Sequence, residues 1–463
     1  MSDATNPAAA TRAEALRPWR AETRALLSLG APMAATQLIQ FSVQTVDLLM
    51  IGRLGAEPLA ASSIGLVFFY FAFLLGFGPA MAVSPLVSQT LGANPDDVRD
   101  VRRSVRMALW SIVLAFPVVG MFFLLSPVII RGFGQPEALA TLATPYVLAL
   151  APGWPFMIAV LALRNFLAAI DRTRVPLYII IATTALNALL NYVFIFGAFG
   201  APRLELVGAG IASSLSHAAG FAALVVYIQR DAAARRFALF VRLMTPDWER
   251  LREVFVLGWP ISVTTGFEAM LFNACVLIMG RIGVNEVAAY QIALNVAAIA
   301  FMGPFGLSMA GATRVGLAHG AGDAARVRRA AAVTILASVA LISVFAVAST
   351  TVPRVIAGFY LDRADPANAE LVRLIAAFLP IAGAFMLFDA VQVAANQCLR
   401  GLKDVDRPMI LTGISYWAVG FPAAYGLGLH TELGARGVWV GLLLALLCAS
   451  ILLGARLHRL TRA

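Results

Sequence analysis

The chain is poor in charged residues for its length. Of its 463 residues, 13% are charged and 60% are hydrophobic, whereas soluble domains carry about 25% charged residues. So few charges cannot cover the surface of a soluble protein of this size. The composition therefore excludes a soluble domain and predicts a membrane protein.

Cysteine and histidine are also scarce. The three cysteines, Cys275, Cys398 and Cys448, lie far apart within apolar runs, where a thiol usually acts as a small apolar side chain. No structural disulfide is predicted. The four histidines are scattered, and HExxH, GxSxG and a phosphate-binding loop ending in Gly-Lys-Ser/Thr are all missing. The sequence therefore predicts no enzyme, no cofactor and no ATP-driven pump.

The apolar residues come in long blocks, and residues 59–91 contain no charge at all. A helix needs about 20 apolar residues to cross a bilayer, whereas barrel strands alternate over much shorter segments. We therefore predict an all-α polytopic membrane protein with twelve transmembrane helices. Their predicted bounds are 26–51, 58–90, 104–130, 138–163, 175–198, 206–229, 254–280, 286–312, 330–351, 368–398, 408–429 and 437–457.

The positive charges are distributed unevenly between the two sides of the membrane. Most of the 35 lysines and arginines fall on the side of the N-terminus, above all in the tail 1–25 and in the basic segment from Arg230 to Arg252. The positive-inside rule then places both termini in the cytoplasm and the chain in the inner membrane. This bias explains the net charge of +10, so nucleic acid is not an expected partner. The tail has no apolar region followed by a cleavage site, and no signal peptide is predicted.

The chain repeats itself at a shift of 228 residues, which brings Gly30-Ala31-Pro32 onto Gly258-Trp259-Pro260 and Gly52-Arg53 onto Gly280-Arg281. After a small insertion, Arg174-Val175-Pro176 meets Asp406-Arg407-Pro408. The predicted organisation is a cytoplasmic tail (1–25), an N-lobe (26–235), a cytoplasmic linker (236–253) and a C-lobe (254–463). Two six-helix lobes that run in the same direction are related by an axis along the membrane normal, and a cleft between them is typical of alternating access.

Three acidic residues lie deep within predicted spans: Asp47, Glu268 and Asp389. A carboxylate at the centre of a helix costs about 2.5–3.5 kcal/mol on the insertion scale, so each of these acids is a candidate functional residue. The alternative is that each acid is neutral or hydrogen-bonded and only fixes helix packing.

Polar residues at helical spacing surround these acids. On each of four predicted helices, the polar residues share one face. They are Gln37, Gln40, Gln44 and Asp47 on the first helix, Thr184, Asn187 and Asn191 on the fifth, Thr264 and Glu268 on the seventh, and Asp389, Gln392 and Asn396 on the tenth. The amides alone could join helices by hydrogen bonds, but with an acid in three stripes we expect them to line polar cavities. The repeat places Asp47 on Cys275 and Glu268 on Gln40, so two chemically distinct sites are expected.

These residues give the chain its resemblance to a family. The sequence resembles the MATE family (multidrug and toxic compound extrusion), in particular its NorM-like branch, over essentially its whole length. The resemblance rests on Gln44-Thr45-Val46-Asp47, Gly52-Arg53-Leu54-Gly55, Asn187 with Asn191-Tyr192, Phe267-Glu268, Gln291-Ile292-Ala293-Leu294-Asn295, Arg314-Val315-Gly316, Phe388-Asp389-Ala390-Val391-Gln392 and Leu399-Arg400-Gly401-Leu402-Lys403-Asp404.

The resemblance implies a monomeric secondary antiporter that expels organic cations in exchange for inward protons or sodium. It implies an N-lobe site of Asp47 with Gln40, Gln44, Asn187 and Asn191, and a C-lobe cation site of Glu268 and Asp389, with Gln291 and Asn295 on the eighth helix. Glu268 and Asp389 would be the ligands of a sodium ion, because hard cations prefer oxygen. One departure weakens the sodium alternative: the family often has a tyrosine one turn before the helix-ten aspartate, and Phe385 stands there.

A second possible class of transporter is a flippase for lipid-linked or otherwise anionic cargo of the same superfamily. Such a protein needs basic residues within its cavity to meet phosphate. In the sequence the deep charges are all acidic and the arginines fall at predicted helix ends, which favours the exporter of cations.

Overall fold

The computed structural model describes residues 7–362 and 365–462, and in these ranges the chain is helical with no β-strand. Short 3₁₀ turns occur at Ala198–Gly200 and Pro366–Asn368, and a π-helical segment at Ile414–Gly420. The α-helices are α1 (Pro7–Gly52), α2 (Ala56–Ala93), α3 (Val98–Leu124), α4 (Ser126–Gly132), α5 (Glu137–Leu150), α6 (Gly153–Ala169), α7 (Arg174–Phe196), α8 (Glu205–Arg230), α9 (Ala232–Arg235), α10 (Trp248–Ile282), α11 (Val284–Gly320), α12 (Ala324–Thr351), α13 (Pro353–Ala357), α14 (Ala369–Gly401), α15 (Asp406–Gly413), α16 (Phe421–Leu429) and α17 (Ala435–Arg462).

The predicted fold class is confirmed. Ten of the described helices are long and apolar enough to cross a membrane, and the bent pair α5 and α6 would make an eleventh. The remaining predicted span, 408–429, is a continuous run of α15, the π-helical segment and α16. A layout of twelve spans is consistent with this arrangement.

Two predicted spans are not single helices. The span predicted over 138–163 is α5 and α6, which meet at an angle of 45°. The break falls at Ala151 and Pro152, because proline has no amide hydrogen to continue the helical ladder. The span predicted over 104–130 ends at Leu124, and α4 begins after a single residue.

The helix α1 starts earlier than predicted. From Pro7 onward, the predicted tail 1–25 is part of α1, and residues 1–6 of that tail lie outside the described residues. Glu22 in this extension is only 5% exposed. Both of its carboxylate oxygens accept hydrogen bonds from Arg314, each at 2.8 Å. The extension is therefore held by a charge-assisted, bidentate pair.

The chain divides into two compact units, which are described separately: Met1–Ala34 with Phe267–Ala463, and Ala35–Gly266. We call them the C-unit and the N-unit. The boundaries cut α1 and α10, so the start of α1 belongs to the C-unit and the start of α10 to the N-unit. The division into lobes 26–235 and 254–463 stays a prediction about the repeat.

Each unit contains one close helix crossing at a repeat-equivalent position. In the N-unit, a Cβ on Gly78 would overlap the carbonyl of Gly258; in the C-unit, a Cβ on Gly306 would overlap the backbone of Ala34. The 228-residue shift brings Gly78 onto Gly306 and Gly258 onto Gly30, which contacts Leu307. Small residues allow backbones in a membrane to approach closely, so the repeat is preserved in packing as well as in sequence.

The core of the C-unit is aromatic. Trp439 is fully buried and contacts the ring of Phe385 edge-on at a centroid distance of 5.8 Å. Tyr290 and Phe378 pack against the same indole. Phe385, which replaces the tyrosine of the family pattern, is therefore a core residue here.

The segment between the repeats is bound along α3. Arg103 Nε donates to Asp247 Oδ2 at 2.5 Å, and Arg250 pairs with Asp100. The guanidinium of Arg103 holds the pKa of Asp247 below its ordinary value of 3.8. Three backbone carbonyls of the segment also accept hydrogen bonds from α3, those of Phe237, Arg242 and Leu243 from Arg102, Arg106 and Trp110 respectively. The predicted linker 236–253 is thus packed against the N-unit rather than extended.

Candidate ion and substrate sites

The first of two candidate sites lies in the N-unit, around Asp47 on α1. Asn191 Nδ2 on α7 donates to Asp47 Oδ1 at 2.5 Å and to Asn187 Oδ1 at 3.3 Å. Asn191 and Asn187 are buried, at 0% and 3% exposure. Because the two asparagines are one helical turn apart, α7 presents both amides along one stripe. The sequence prediction that an asparagine of this helix lies beside Asp47 is confirmed.

Two further residues at this site were missed in the sequence. Ser213 on α8 also hydrogen-bonds the Asp47 carboxylate, and the buried Tyr146 on α5 lies near enough to interact with it electrostatically. Gly65 makes room for Tyr146, since a Cβ there would overlap the phenol ring. Tyr146 lies in an apolar run with no polar residue at helical spacing, so no pattern identified it.

One acceptor at this site is unused. Asn191 Oδ1 is buried and has no hydrogen-bond donor among the described residues. A buried acceptor without a donor costs about 1–3 kcal/mol. The carboxylate of Asp47 and this amide oxygen together offer a negatively polarised place for a cation or for a donor group.

Two residues of the predicted polar stripe on α1, Gln37 and Gln40, bind an arginine and do not contact Asp47. Arg164 Nη1 donates to Gln40 Oε1 at 3.0 Å and Arg164 Nη2 to Gln37 Oε1 at 2.9 Å. Gln44 is exposed. The structure therefore brings Gln40 to an arginine and not to Asp47. The prediction that every deep charge is acidic is wrong, because α6 continues to Ala169 and holds Arg164 within the helix.

The second site lies in the C-unit, where α10 and α14 bring Glu268 and Asp389 together. Glu268 interacts electrostatically with Asp389 although the two are far apart in sequence. Asp389 is 7% exposed and accepts a hydrogen bond from Gln392 Nε2 at 3.1 Å. Thr264, predicted to share the stripe of Glu268, instead donates to the carbonyl of Pro260 on its own helix.

Two more residues complete the C-unit site. Arg400, which was placed in a loop-facing helix end, is only 7% exposed and attracts Glu268. Tyr416 of the π-helical segment is close enough to interact with both carboxylates. Its buried hydroxyl has no hydrogen-bond partner in the described part of the chain. Tyr416 therefore supplies a phenol oxygen near the acids, where Phe385 cannot.

Gln291 and Asn295, predicted on the eighth span, form no hydrogen bond to Glu268 or Asp389 in the described structure. Gln291 is exposed, and Asn295 Oδ1 accepts a hydrogen bond from the hydroxyl of Tyr360 at 2.9 Å.

All three cysteines are free, as predicted.

Charge counting shows what the two sites can hold. In the C-unit site, Arg400 offsets one of the two carboxylates, so the ionised cluster lacks one positive charge. In the N-unit, Asp47 has hydrogen-bond donors but no basic partner among the described residues. Each site can therefore take one monovalent cation or one proton.

A bundle of about twelve spans with internal carboxylates in both repeats defines a membrane transport protein. The MatE family model matches residues 32–193 and 260–426, and its two segments begin at the repeat-equivalent prolines Pro32 and Pro260. The chain belongs to the MatE family. It is a multi-pass membrane protein of a transporter family and not an enzyme.

The chain is similar to curated relatives over nearly their full length. It is 42% identical to "Probable multidrug resistance protein NorM" of Rhizobium meliloti (strain 1021), covering 96% of this chain and 95% of the relative. It is 39% identical to the protein of the same name from Rhodopseudomonas palustris, covering 99% of this chain and 97% of the relative.

Solved structures share the fold. The eukaryotic MATE transporter AtDTX14 has a TM-score of 0.80 at 21% identity, covering 96% of this chain and 99% of that one. A multidrug resistance MATE family transporter in an outward-facing conformation has a TM-score of 0.84 at 19% identity, covering 95% and 96%.

Proposed function

We propose that this protein is a secondary antiporter that exports cationic amphipathic compounds in exchange for inward protons or sodium, by alternating access between its two repeats. The names of its curated relatives support multidrug export. The proposal includes a monomer in the inner membrane with both termini in the cytoplasm, as the distribution of arginine and lysine predicts.

The observation that carries the proposal is the Asp47 carboxylate, held by Asn191 and Ser213 inside a membrane helix without a basic partner among the described residues. A lone carboxylate can bind a proton or an organic cation, and the two compete for one negative charge. If the site changes sides only when it is occupied, this competition couples the two flows, because binding of one ligand excludes the other.

The Glu268–Asp389 cluster is proposed as a second ion site, in addition to the exchange site at Asp47. Arg400 leaves it short of one positive charge, so one ion per cycle is expected there. Moving one charge across 100 mV supplies about 2.3 kcal/mol, which corresponds to a gradient of roughly 50-fold. For sodium, the carboxylates and the Tyr416 hydroxyl offer oxygen ligands, as hard cations require.

The proposal is tested in proteoliposomes that contain purified protein and a fluorescent organic cation. A pH gradient or a sodium gradient is imposed alone, with the membrane potential clamped. Transport should follow one of the two gradients and should be lost in Asp47→Asn. Transport that requires ATP, or that proceeds equally with neither gradient, would contradict the proposal.

Arg164 supports a second candidate, a flippase for lipid-linked or anionic cargo. A basic side chain within the N-unit is what such cargo requires. This candidate predicts movement of an anionic lipid analogue between leaflets and no movement of a simple organic cation, so both probes belong in the same vesicle experiment.

A further inference from the structure

Arg164 is a charged side chain inside a membrane span that the proposed exchange of cations does not use. It lies on α6, five residues before the helix ends at Ala169. Its only hydrogen bonds in the described structure are those to the side-chain oxygens of Gln37 and Gln40. A guanidinium has five N–H donors, so three of them remain for another ligand.

Two arginines of the C-unit face carboxylates. Arg314 binds Glu22 and Arg400 faces Glu268. Arg164 has no carboxylate partner among the described residues. At the 228-residue shift Gln40, which binds Arg164, falls on Glu268, and Arg164 itself falls on Gln392. The N-unit thus has a neutral amide in place of an acid, and the positive charge is left uncompensated.

An uncompensated charge in a span costs about 2.5–3.5 kcal/mol, and two neutral amides offset only part of it. The glutamines fix the plane of the guanidinium, which leaves the remaining donors in a rigid fork. Such a fork matches the geometry of a carboxylate. The fixed geometry and the missing counter-ion both indicate a site for an anionic group.

The position of this fork relative to Asp47 is set by α1. Gln40 and Asp47 are seven residues apart and share one face, which corresponds to a rise of about 10.5 Å. Gln44 lies between them and is exposed. One face of α1 therefore has a guanidinium near one end and a carboxylate near the other.

We propose that Arg164 binds the anionic group of amphoteric substrates whose cationic group binds Asp47, with about 10 Å between the two groups. The inference rests on the proposed export activity and specifies its substrate class. Asp47 selects for positive charge, and Arg164 adds a preference for compounds that also have a carboxylate.

The test compares a zwitterionic rhodamine, which has a free carboxylate, with the methyl ester of the same dye. Proteoliposomes with wild-type protein, Arg164→Gln or Arg164→Lys are used, and Arg174→Gln is the control at an exposed arginine. Arg164→Gln should reduce transport of the acid dye by about tenfold or more relative to the ester, because a hydrogen-bonded charge pair is lost. Arg164→Lys should retain part of the preference, because lysine keeps the charge and loses the fork.

A second variant keeps the test independent of folding in Arg164→Gln. Gln40→Glu places a carboxylate on the guanidinium and should cause the same selective loss of the acid dye. Equal loss of both dyes in every variant, or no loss of either, would overturn the inference.

The experiment is repeated with chloride replaced by gluconate. If the preference for the acid dye is the same in chloride and in gluconate, the guanidinium binds the carboxylate of the substrate. If the preference depends on chloride, the guanidinium binds an inorganic anion, and the inference is overturned. Ester transport by the wild-type protein reports on the proposed function alone. If neither dye moves, the export proposal itself fails.

Discussion

Replacing Asp47 with asparagine should separate stability from transport. The substitution keeps the size of the side chain and removes its charge. On the insertion scale, removing a carboxylate from a span relieves about 2.5–3.5 kcal/mol. The bond from Asn191 at 2.5 Å changes from charge-assisted to neutral, which lowers its contribution from about 1.5–3 to about 0.5–1.5 kcal/mol.

The difference between these two effects predicts a net stabilisation of about 1–2.5 kcal/mol for Asp47→Asn. Export should nevertheless be lost, because an amide cannot exchange a proton for a cation. The assay is a pair of measurements on the same preparation: the thermal midpoint in detergent and dye export from vesicles. Asp171→Asn, at an exposed position, is the matched control and should change neither quantity.

A variant that exports at the wild-type rate would refute the role of Asp47. A variant that is less stable than wild type by several kcal/mol would show that the carboxylate is a packing residue, contrary to the account.

The remaining predictions concern the ion site, the helix crossing and the linker. If Glu268 and Asp389 serve one ion, ion affinities in Glu268→Gln, Asp389→Asn and the double variant should be non-additive by about 0.5–3 kcal/mol; additive effects would mean two separate sites. Gly78→Ala should destabilise the protein by about 1–3 kcal/mol, since the new Cβ would overlap the backbone of Gly258. The control Gly120→Ala, at a position with open space around it, should not destabilise the protein. Equal denaturation midpoints for the two variants would contradict a close helix crossing at Gly78. Since the pKa of Asp247 is lowered, packing of the segment 236–253 against α3 should be complete above about pH 3.8 and weaken as pH falls below that value. Asp247→Asn should cost this packing at most about 1 kcal/mol and make the segment more sensitive to protease at neutral pH. Unchanged cleavage would contradict the packing.

The sequence predicted the spans well, because each is a long apolar run between basic segments. The resemblance to the family implies that Asn187 and Asn191 lie at the Asp47 site, and the polar stripes agree with it, because a polar helix face is costly against lipid. The sequence missed the break at Pro152, where the apolar run continues through the bend, and the π-helical segment at Ile414–Gly420, which has no compositional mark.

The misassigned charges have a common cause. Arg164 and Arg400 lie one and two residues beyond the predicted spans 138–163 and 368–398, so the sequence predicts both at helix ends. Whether such an arginine extends into water or turns back into the bundle depends on tertiary partners. For Arg164 those partners are glutamines on another helix, and no periodicity within α6 reveals them. Glu22 lies in the polar segment predicted as the cytoplasmic tail, which contains four arginines.

The central claim is that an ion and an organic cation compete for one carboxylate in the N-unit. Its most direct test is equilibrium binding of the methyl-ester dye to purified protein at a series of pH values and sodium concentrations. Competition at Asp47 predicts that the apparent Kd rises in proportion to the concentration of the coupling ion, and that Asp47→Asn abolishes this dependence. A Kd that is independent of both protons and sodium in the wild-type protein would contradict the claim.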